Sequence, residues 1–267
     1  MRRLREFVSA AANGGRGFRG TIAENQNRHG LVRFGPESGR LWENGYGEES
    51  MREKMNVVFD MDGVIFDTET LCHRSWKSLE QEYGLKRLDE TFAACIGSTH
   101  QKTAQTLKES QGEAFDAEGF LNRASAEIRR LIREEGIPVK PYAKELLVWL
   151  RQNHARVALA SSTATAIASD ELKMAGLYEY FDVVIGGDQA AKSKPEPDIY
   201  LHACKCLGVN PQESFGVEDS YNGVRSAAAA GMKVLMVPDR LAPTPEMEKL
   251  AYRILPDLGA VKEFLEK

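Results

Sequence analysis

From Met55 onward, short apolar segments alternate with segments of helical, amphipathic periodicity. Several of the apolar segments, such as VALAS and VLMV, are almost uninterrupted, which is typical of parallel strands buried on both faces. The predicted strands are Asn56–Asp60, Arg156–Ser161, Phe181–Ile185, Ser214–Glu218, Lys233–Val237 and Tyr252–Leu255. The predicted helices between them are Tyr142–Gln152, Thr165–Ala175, Asp198–Leu207 and Asn222–Ala230. This repetition predicts an α/β fold with a doubly wound, Rossmann-like parallel sheet.

One interval, from Glu69 to about Pro138, contains no convincing strand. Its segments LCHRSWKSLEQEYGL and FLNRASAEIRRLIREEG have the spacing of amphipathic helices. We predict a four-helix cap over residues 69–138, inserted directly after the first strand, and a core formed by residues 55–68 and 139–267. An insertion at that point lies above the carboxyl ends of the strands, where α/β proteins bind ligands, and is suited to act as a lid.

The composition limits the classes of function. The 267 residues are 42% hydrophobic and 28% charged, with a formal net charge of −4. This balance gives no general affinity for nucleic acid or for anionic membranes, and no apolar run approaches the ~18 residues of a membrane span. The four cysteines show neither CxxC nor zinc-type spacing. We therefore expect reduced thiols in a cytoplasmic protein, with a monomer as the default state.

Residues 1–54 differ from the rest of the chain. They are rich in Gly, Arg, Asn and Glu and show little aliphatic periodicity. Three interpretations are open: a disordered tail, an organelle-targeting peptide, or a spurious extension that is not translated. The early arginines suit a targeting peptide, but the acidic residues that follow them do not. We favour a start at Met51 or Met55, because the folded pattern begins abruptly there.

The first predicted strand runs directly into two acidic residues, in VVFDMDGVIFDTE. Asp60 and Asp62 are two positions apart, so their charges need a cation or a proton between them, and Gly63 allows a sharp turn. A hard divalent cation such as Mg²⁺ accepts oxygen ligands of this kind. Taken alone, the motif is also compatible with a polar turn or a calcium loop.

Polar groups also follow three other predicted strands. Ser161 and Ser162, in LASST, indicate a phosphate seat at a helix start or plain N-caps. Lys194, in KSKPEPDIY, is either aimed by the prolines around it or lies on the surface. Glu218 and Asp219, in GVEDS, are further metal-binding acids or an acidic N-cap. Together these strand ends supply the carboxylates, hydroxyl and cation that phosphoryl transfer requires.

This arrangement resembles the haloacid dehalogenase-like (HAD) hydrolase superfamily, in the β-phosphoglucomutase/phosphatase-like branch of subfamily I, which has a helical cap. The resemblance covers the chain from about Met55 to the C-terminus. Its first motif is DMDGVIFDTE, its second is Ser161, its third is Lys194 in KPEPD, and its fourth is the pair Glu218 and Asp219. The order and the context of all these motifs fit the family.

The resemblance implies a role for each motif residue. Asp60 attacks phosphorus and becomes an aspartyl phosphate, and Asp62 protonates the leaving oxygen and then activates water. Mg²⁺ is held by Asp60, the backbone carbonyl of Asp62 and Asp219, with Glu218 as a further ligand or a supporting partner. The phosphoryl oxygens are held by Ser161 and Lys194, with Ser162 as a neighbouring candidate.

Two features favour one activity within the family. Asp62 indicates phosphate chemistry, because the resemblance implies another residue type there in the dehalogenases. In CIGSTH, Gly97 is kept, but Ile96 and His100 stand where a mutase carries cations to hold a bisphosphate by both ends. We therefore predict a phosphatase for a small phosphorylated metabolite, most simply a sugar phosphate, with Gly97 and His100 as substrate-binding candidates. A β-phosphoglucomutase-type mutase is the alternative, followed by a phospho-acceptor receiver and a non-catalytic binding module.

Overall fold

The computed structural model of the protein describes residues 55–96, 98 and 100–267. Its sheet has six strands in the order β3-β2-β1-β4-β5-β6, and every neighbouring pair is parallel. The strands are β1 (Asn56–Phe59), β2 (Arg156–Ala160), β3 (Val183–Ile185), β4 (Phe215–Glu218), β5 (Lys233–Met236) and β6 (Arg253–Ile254). The strand order reverses direction beside β1, which confirms the doubly wound fold.

Within the residues described, four α-helices form the insertion that follows β1 in the chain, and six more accompany the strands. The first group is α1 (Thr68–Tyr83), α2 (Leu88–Cys95), α3 (His100–Gln111) and α4 (Ala117–Glu135). The second is α5 (Ala143–Gln152), α6 (Thr165–Met174), α7 (Asp198–Leu207), α8 (Tyr221–Ala229), α9 (Pro245–Leu250) and α10 (Leu258–Leu265). The sequence did not predict α9 and α10, although Thr244 and Asp257 cap them.

Alternate residues of the strands face opposite layers of helices. Val57 and Phe59 of β1 belong to a core with α5, α6 and α10, whereas Val58 belongs to a second core with α7 and α8. Both faces of the central strand are therefore covered, which explains the apolar run over residues 57–59.

The helices α1–α4 bury a separate apolar core. Trp76 lies edge-on to Phe92 and Phe120, with ring centroids 5.1 and 5.0 Å apart. Because this core shares few residues with the sheet, the four helices form a compact unit above it. Within the described residues, we find no helix with the length and apolarity needed to span a bilayer.

Two linkers connect the four-helix unit to the sheet, and they run side by side. Phe66 and Val139 form an antiparallel bridge. The N–H of Asp67 donates to the carbonyl of Pro138, and the N–H of Lys140 donates to the carbonyl of Ile65, both over 2.9 Å. We call residues 65–67 and 138–140 the paired linkers. They position the four-helix unit directly over the carboxyl end of β1.

Candidate active site

Backbone hydrogen bonds between the central strands continue one residue past their carboxyl ends and fix the positions of Asp60 and Ser161. The N–H of Asp60 donates to the carbonyl of Val217 over 2.9 Å, and the N–H of Ser161 donates to that of Ile185 over 3.0 Å. Asp60 follows β1, Ser161 follows β2, and Glu218 ends β4, so the three residues lie at the same edge of neighbouring strands. This is the edge at which parallel sheets bind ligands.

Lys194 joins two of these strand ends. Its ammonium donates to Asp60 Oδ1 over 2.6 Å and to Glu218 Oε1 over 2.5 Å. Burial alone would lower the pKa of Lys194, but the charges of Asp60 and Glu218 raise it above its usual value, so the group stays a cation. Only 4% of the side chain is exposed, which excludes a surface lysine.

Tyr200 is a member of this network that the sequence did not reveal. Its hydroxyl donates to Glu218 Oε1 over 2.6 Å and accepts from Lys194 Nζ over 3.2 Å. It is fully buried in α7, where a tyrosine at helical spacing predicts only a core residue. The available signal was its position on the first turn of the helix that the Lys194 loop begins.

Glu218 is surrounded by donors. Lys194 and Tyr200 donate to its Oε1. Its Oε2 accepts from Ser220 Oγ and from the N–H of Asp219, and both of these bonds measure 3.2 Å. A side chain at Gly223 would overlap the Glu218 carboxylate. Glu218 is therefore placed to anchor Lys194, with little capacity left for another ligand.

Asp219, unlike Glu218, is incompletely hydrogen-bonded within the described residues. Its Oδ1 is buried and has no hydrogen-bond partner among the described residues. Burial raises the pKa of Asp219 well above its usual value, and the charges of Glu218 and Asp60 raise it further. An acid in this position needs a proton or a cation.

The donor set fits a hard divalent cation. Asp60, Glu218 and Asp219 each offer a carboxylate oxygen, and these atoms lie within 4.8 Å of one another. Burial raises the pKa of Asp60 to about 7 despite the opposing charge of Lys194. A cation such as Mg²⁺ between Asp60 and Asp219 would offset the repulsion between their carboxylates. Carboxylate oxygens are also the ligands that Mg²⁺ prefers.

Asp62 lies outside that acidic group. It sits in a tight turn in which the N–H of Ile65 donates to the carbonyl of Met61, and its own Oδ2 accepts from Thr163 Oγ1 over 3.2 Å. Its carboxylate is therefore separate from the three that surround the cation position, and a metal contact would have to come through its backbone carbonyl. Thr163 was not predicted from the sequence.

The comparisons with known proteins agree with this geometry. The sequence model of the family described as haloacid dehalogenase-like hydrolase matches residues 57–237. The chain belongs to the haloacid dehalogenase-like hydrolases. This match spans β1 to β5 and includes all the predicted core motifs of the site. The family assignment made from the sequence is thereby confirmed.

Two relatives of this HAD-like hydrolase are described as phosphatases. The phosphorylated carbohydrates phosphatase of Thermotoga maritima is 32% identical over 177 residues, which cover 66% of this chain and 82% of that protein. The fructose-1-phosphate phosphatase YqaB of Escherichia coli is 30% identical over 183 residues, which cover 68% and 95%. The prediction of a hydrolase of the phosphatase type is confirmed at this level.

A solved structure shares the fold over most of the chain. The HAD family hydrolase of Deinococcus radiodurans R1, solved with bound phosphate and sodium, aligns with a TM-score of 0.67 and 26% identity. The alignment covers 79% of this chain and 95% of that one.

The hydroxyl-bearing residues after β2 are arranged around a turn. Ser161 is fully buried, and its Oγ accepts from the N–H of Thr163 over 3.0 Å, which leaves its hydroxyl hydrogen to donate. Ser162 is half-buried beside it. Both lie at the sheet edge of Asp60, and their contact with phosphate stays a prediction.

Of the two predicted substrate contacts in the four-helix unit, His100 is the one that the structure describes. His100 begins α3, and its Nε2 lies 2.8 Å from Glu118 Oε2 within the four-helix unit. Gly97 lies outside the described residues. Both residues remain predictions as substrate contacts.

Replacement of Gly63 by alanine is expected to weaken metal binding. Gly63 has φ +85°, and a side-chain carbon there would overlap the carboxylate of Asp219. The strained backbone and the displaced ligand should raise the half-saturating Mg²⁺ concentration at least ~10-fold and lower kcat about 100-fold. A Mg²⁺ titration of turnover measures both quantities.

Gly84→Ala is the matched control, because Gly84 also has a positive φ (+61°) but no atom lies within 4 Å of the added carbon. It should lose some stability and keep the wild-type dependence on Mg²⁺. A Gly63→Ala enzyme with the wild-type Mg²⁺ dependence would contradict the position assigned to Asp219.

Glu69, in the first turn of α1, is predicted to make stability depend on pH. It is 8% exposed, and burial raises its pKa from 4.5 to about 7; the charges of Asp239 and Asp62 add to this effect, and Arg240 opposes it. The folded state therefore binds the proton more tightly than the unfolded state. This contribution is complete below pH 4.5 and is lost as the pH rises through 7.

The free energy of unfolding of Glu69→Gln, relative to wild type, should thus rise by up to about 3 kcal/mol between pH 4.5 and pH 8. Urea unfolding at a series of pH values measures the difference. Glu82→Gln is the control on the same helix, since that side chain is 55% exposed. A pH-independent difference for Glu69→Gln would show that the carboxyl is not held in a desolvated position.

Proposed function

We propose that the protein is a Mg²⁺-dependent phosphatase that hydrolyses a small phosphorylated metabolite, a sugar phosphate, through an aspartyl phosphate on Asp60. The contact of Lys194 with Asp60 is the observation that carries this proposal. Next to it, Asp219 Oδ1 has no hydrogen-bond partner among the described residues, and Asp62 lies outside the acidic group. The phosphatases among the relatives, named for phosphorylated carbohydrates and for fructose 1-phosphate, support the substrate class.

Asp60 acts as the nucleophile. Lys194 fixes the orientation of its carboxylate, one oxygen of which attacks phosphorus while the ester oxygen leaves. Lys194 and the Ser161 hydroxyl hold the phosphoryl oxygens. When bound by Asp60 and Asp219, Mg²⁺ supplies positive charge that offsets the charge of the phosphoryl group.

Asp62 acts first as a general acid and then as a general base. Held by Thr163, it donates a proton to the leaving oxygen and becomes a carboxylate. It then takes a proton from the water that attacks the aspartyl phosphate, which releases inorganic phosphate and restores Asp60. Asp62 is not one of the three carboxylates that lie within 4.8 Å of one another, so it is placed for a role different from that of Asp60.

The four-helix unit acts as the cap of this site. The cap is formed by residues 69–138 and lies above the carboxyl end of β1. The paired linkers connect it to the sheet and act as its hinge. Closure over a substrate would exclude bulk water during the first step, which suits a small metabolite better than a phosphorylated macromolecule. We propose a cytoplasmic monomer acting on soluble substrates.

A turnover panel of small phosphate esters tests the proposed function. It is run with and without Mg²⁺, includes β-glucose 1-phosphate, and follows inorganic phosphate and glucose 6-phosphate together. Release of inorganic phosphate that requires Mg²⁺ supports the phosphatase. Formation of glucose 6-phosphate without phosphate release would identify a mutase, and retention of one phosphate per chain after a phosphodonor would identify a receiver.

A further inference from the structure

A second group of polar side chains lies where the paired linkers meet the sheet. Glu69 lies in the first turn of α1, two positions after the first linker, and Asp239 follows β5 at the carboxyl edge, next to the strand that carries Asp219. Asp239 Oδ1 accepts from Lys140 Nζ, in the second linker, over 2.8 Å. Arg240 Nη2 donates to Thr70 Oγ1, on α1, over 3.1 Å. We call Glu69 and Asp239 the hinge carboxylates.

The hinge carboxylates are buried but incompletely bonded. Glu69 is 8% exposed and the Asp239 side chain 9%. Within the described residues, Glu69 Oε2, Asp239 Oδ2 and the neighbouring Thr68 Oγ1 are buried without a hydrogen-bond partner. Buried polar atoms are rarely left in this state, so the group is built to receive donors from outside the chain.

The hinge carboxylates interact electrostatically with the acidic groups of the site. Burial is the main cause of the raised pKa of Glu69, and the charges of Asp239 and Asp62 raise it further. The charge of Asp239 likewise adds to the raised pKa of Asp219. Glu69 also follows the linker in which Phe66 forms a bridge with Asp62, and Asp239 follows the strand beside the one that carries Asp219, so both carboxylates lie where the linkers meet the sheet.

The chemistry of the group selects the kind of ligand. A second phosphate would be repelled by both carboxylates, and a second metal ion is disfavoured because Lys140 already neutralises Asp239. Neutral hydroxyl groups meet no such penalty and donate well to carboxylate oxygens. A sugar attached to the transferred phosphate carries several of them.

We propose that Glu69 and Asp239 accept hydrogen bonds from hydroxyl groups of the substrate's sugar, and thereby select polyhydroxylated phosphate monoesters. This inference rests on the proposed function of the same site. It assigns substrate recognition to the side of the site where the paired linkers meet the sheet, on the last residue of the first motif and on Asp239, which no motif includes. Closure of the cap about the paired linkers would bring α1 and Glu69 onto the bound sugar.

The test compares two substrates in Glu69→Gln and Asp239→Asn, which keep the shape of each side chain. For fructose 1-phosphate, kcat/KM should fall at least ~10-fold, mainly through KM. For p-nitrophenyl phosphate, which has no hydroxyl groups, the loss should be several-fold smaller. Glu82→Gln, on the exposed part of α1, is the matched control.

An equal loss for both substrates, or no loss for either, would overturn the inference. If the wild type hydrolyses neither ester, the proposed function fails, and equilibrium binding of fructose 1-phosphate then decides the inference separately. A Kd at least ~10-fold weaker in Glu69→Gln than in wild type would support it. An unchanged Kd, or no binding by the wild type, would reject it.

Discussion

Phosphate release by the Asp60→Asn enzyme is expected to be at least about 10⁴-fold slower than by the wild type. The amide cannot attack phosphorus to form the acyl phosphate, and it removes one of the carboxylates around the cation position. Its oxygen can still accept a hydrogen bond from Lys194, so the fold should persist. Single-turnover release of inorganic phosphate from the best ester of the panel measures the loss.

Asp170→Asn is the matched control, since that side chain is 73% exposed on α6 and far from the acids in sequence. It should keep wild-type turnover. A folded Asp60→Asn protein that retains a tenth or more of the wild-type rate would remove Asp60 from the role of nucleophile. Trapping of labelled phosphate on the wild-type chain, and not on the variant, is the complementary measurement.

Replacement of Lys194 by methionine is expected to have the largest effect on stability. The side chain is 4% exposed and joins Asp60 and Glu218, which are also buried. Removing the cation leaves two buried acids facing each other, which should cost about 3–5 kcal/mol of the free energy of unfolding. Urea unfolding at pH 8, above the pKa of about 7 of Asp60, measures this cost, and turnover should be lost as well.

Three further variants separate the effect of losing the buried cation from other effects of the Lys194→Met substitution. Lys192→Met replaces an exposed lysine two positions away and should change neither stability nor turnover. Tyr200→Phe removes one bond to Glu218 and should cost only about 1–2 kcal/mol. Glu218→Gln, added to Lys194→Met, should recover part of the loss because it removes one buried charge. If Lys194→Met were as stable as wild type, the buried network would have no structural role.

Much of the fold could be predicted because the central strands are buried on both faces and so carry continuous apolar runs. Their ends were less certain by one or two residues: Asp60 and Ser161 were included in predicted strands but lie just beyond them. Apolar periodicity cannot mark where a ladder of hydrogen bonds gives way to a functional turn. The segments that became α9 and α10 are short, and their signals were caps rather than periodicity.

The core of the site could be predicted for a related reason. Parallel topology gathers strand ends at one edge, so Asp60, Lys194, Glu218 and Asp219 could be placed together before any distance was known. The supporting residues could not. Thr163 bonds Asp62 across 101 positions of sequence, and Arg240 bonds Thr70 across 170, and such pairings depend on the packing of loops.

The paired linkers have a consequence for how this architecture is assembled. The chain leaves the sheet at residue 67 and returns at residue 138 over a backbone hydrogen bond of 2.9 Å, so the ends of the insertion are neighbours. The entropic cost of closing a loop between such ends rises only slowly with its length, by ~0.6 kcal/mol for each doubling. A different insertion could therefore be grafted across the same bridge to give the same phosphate chemistry a new specificity, provided that it replaces the contacts of Leu71, Leu131 and Ile132 with the core of the sheet.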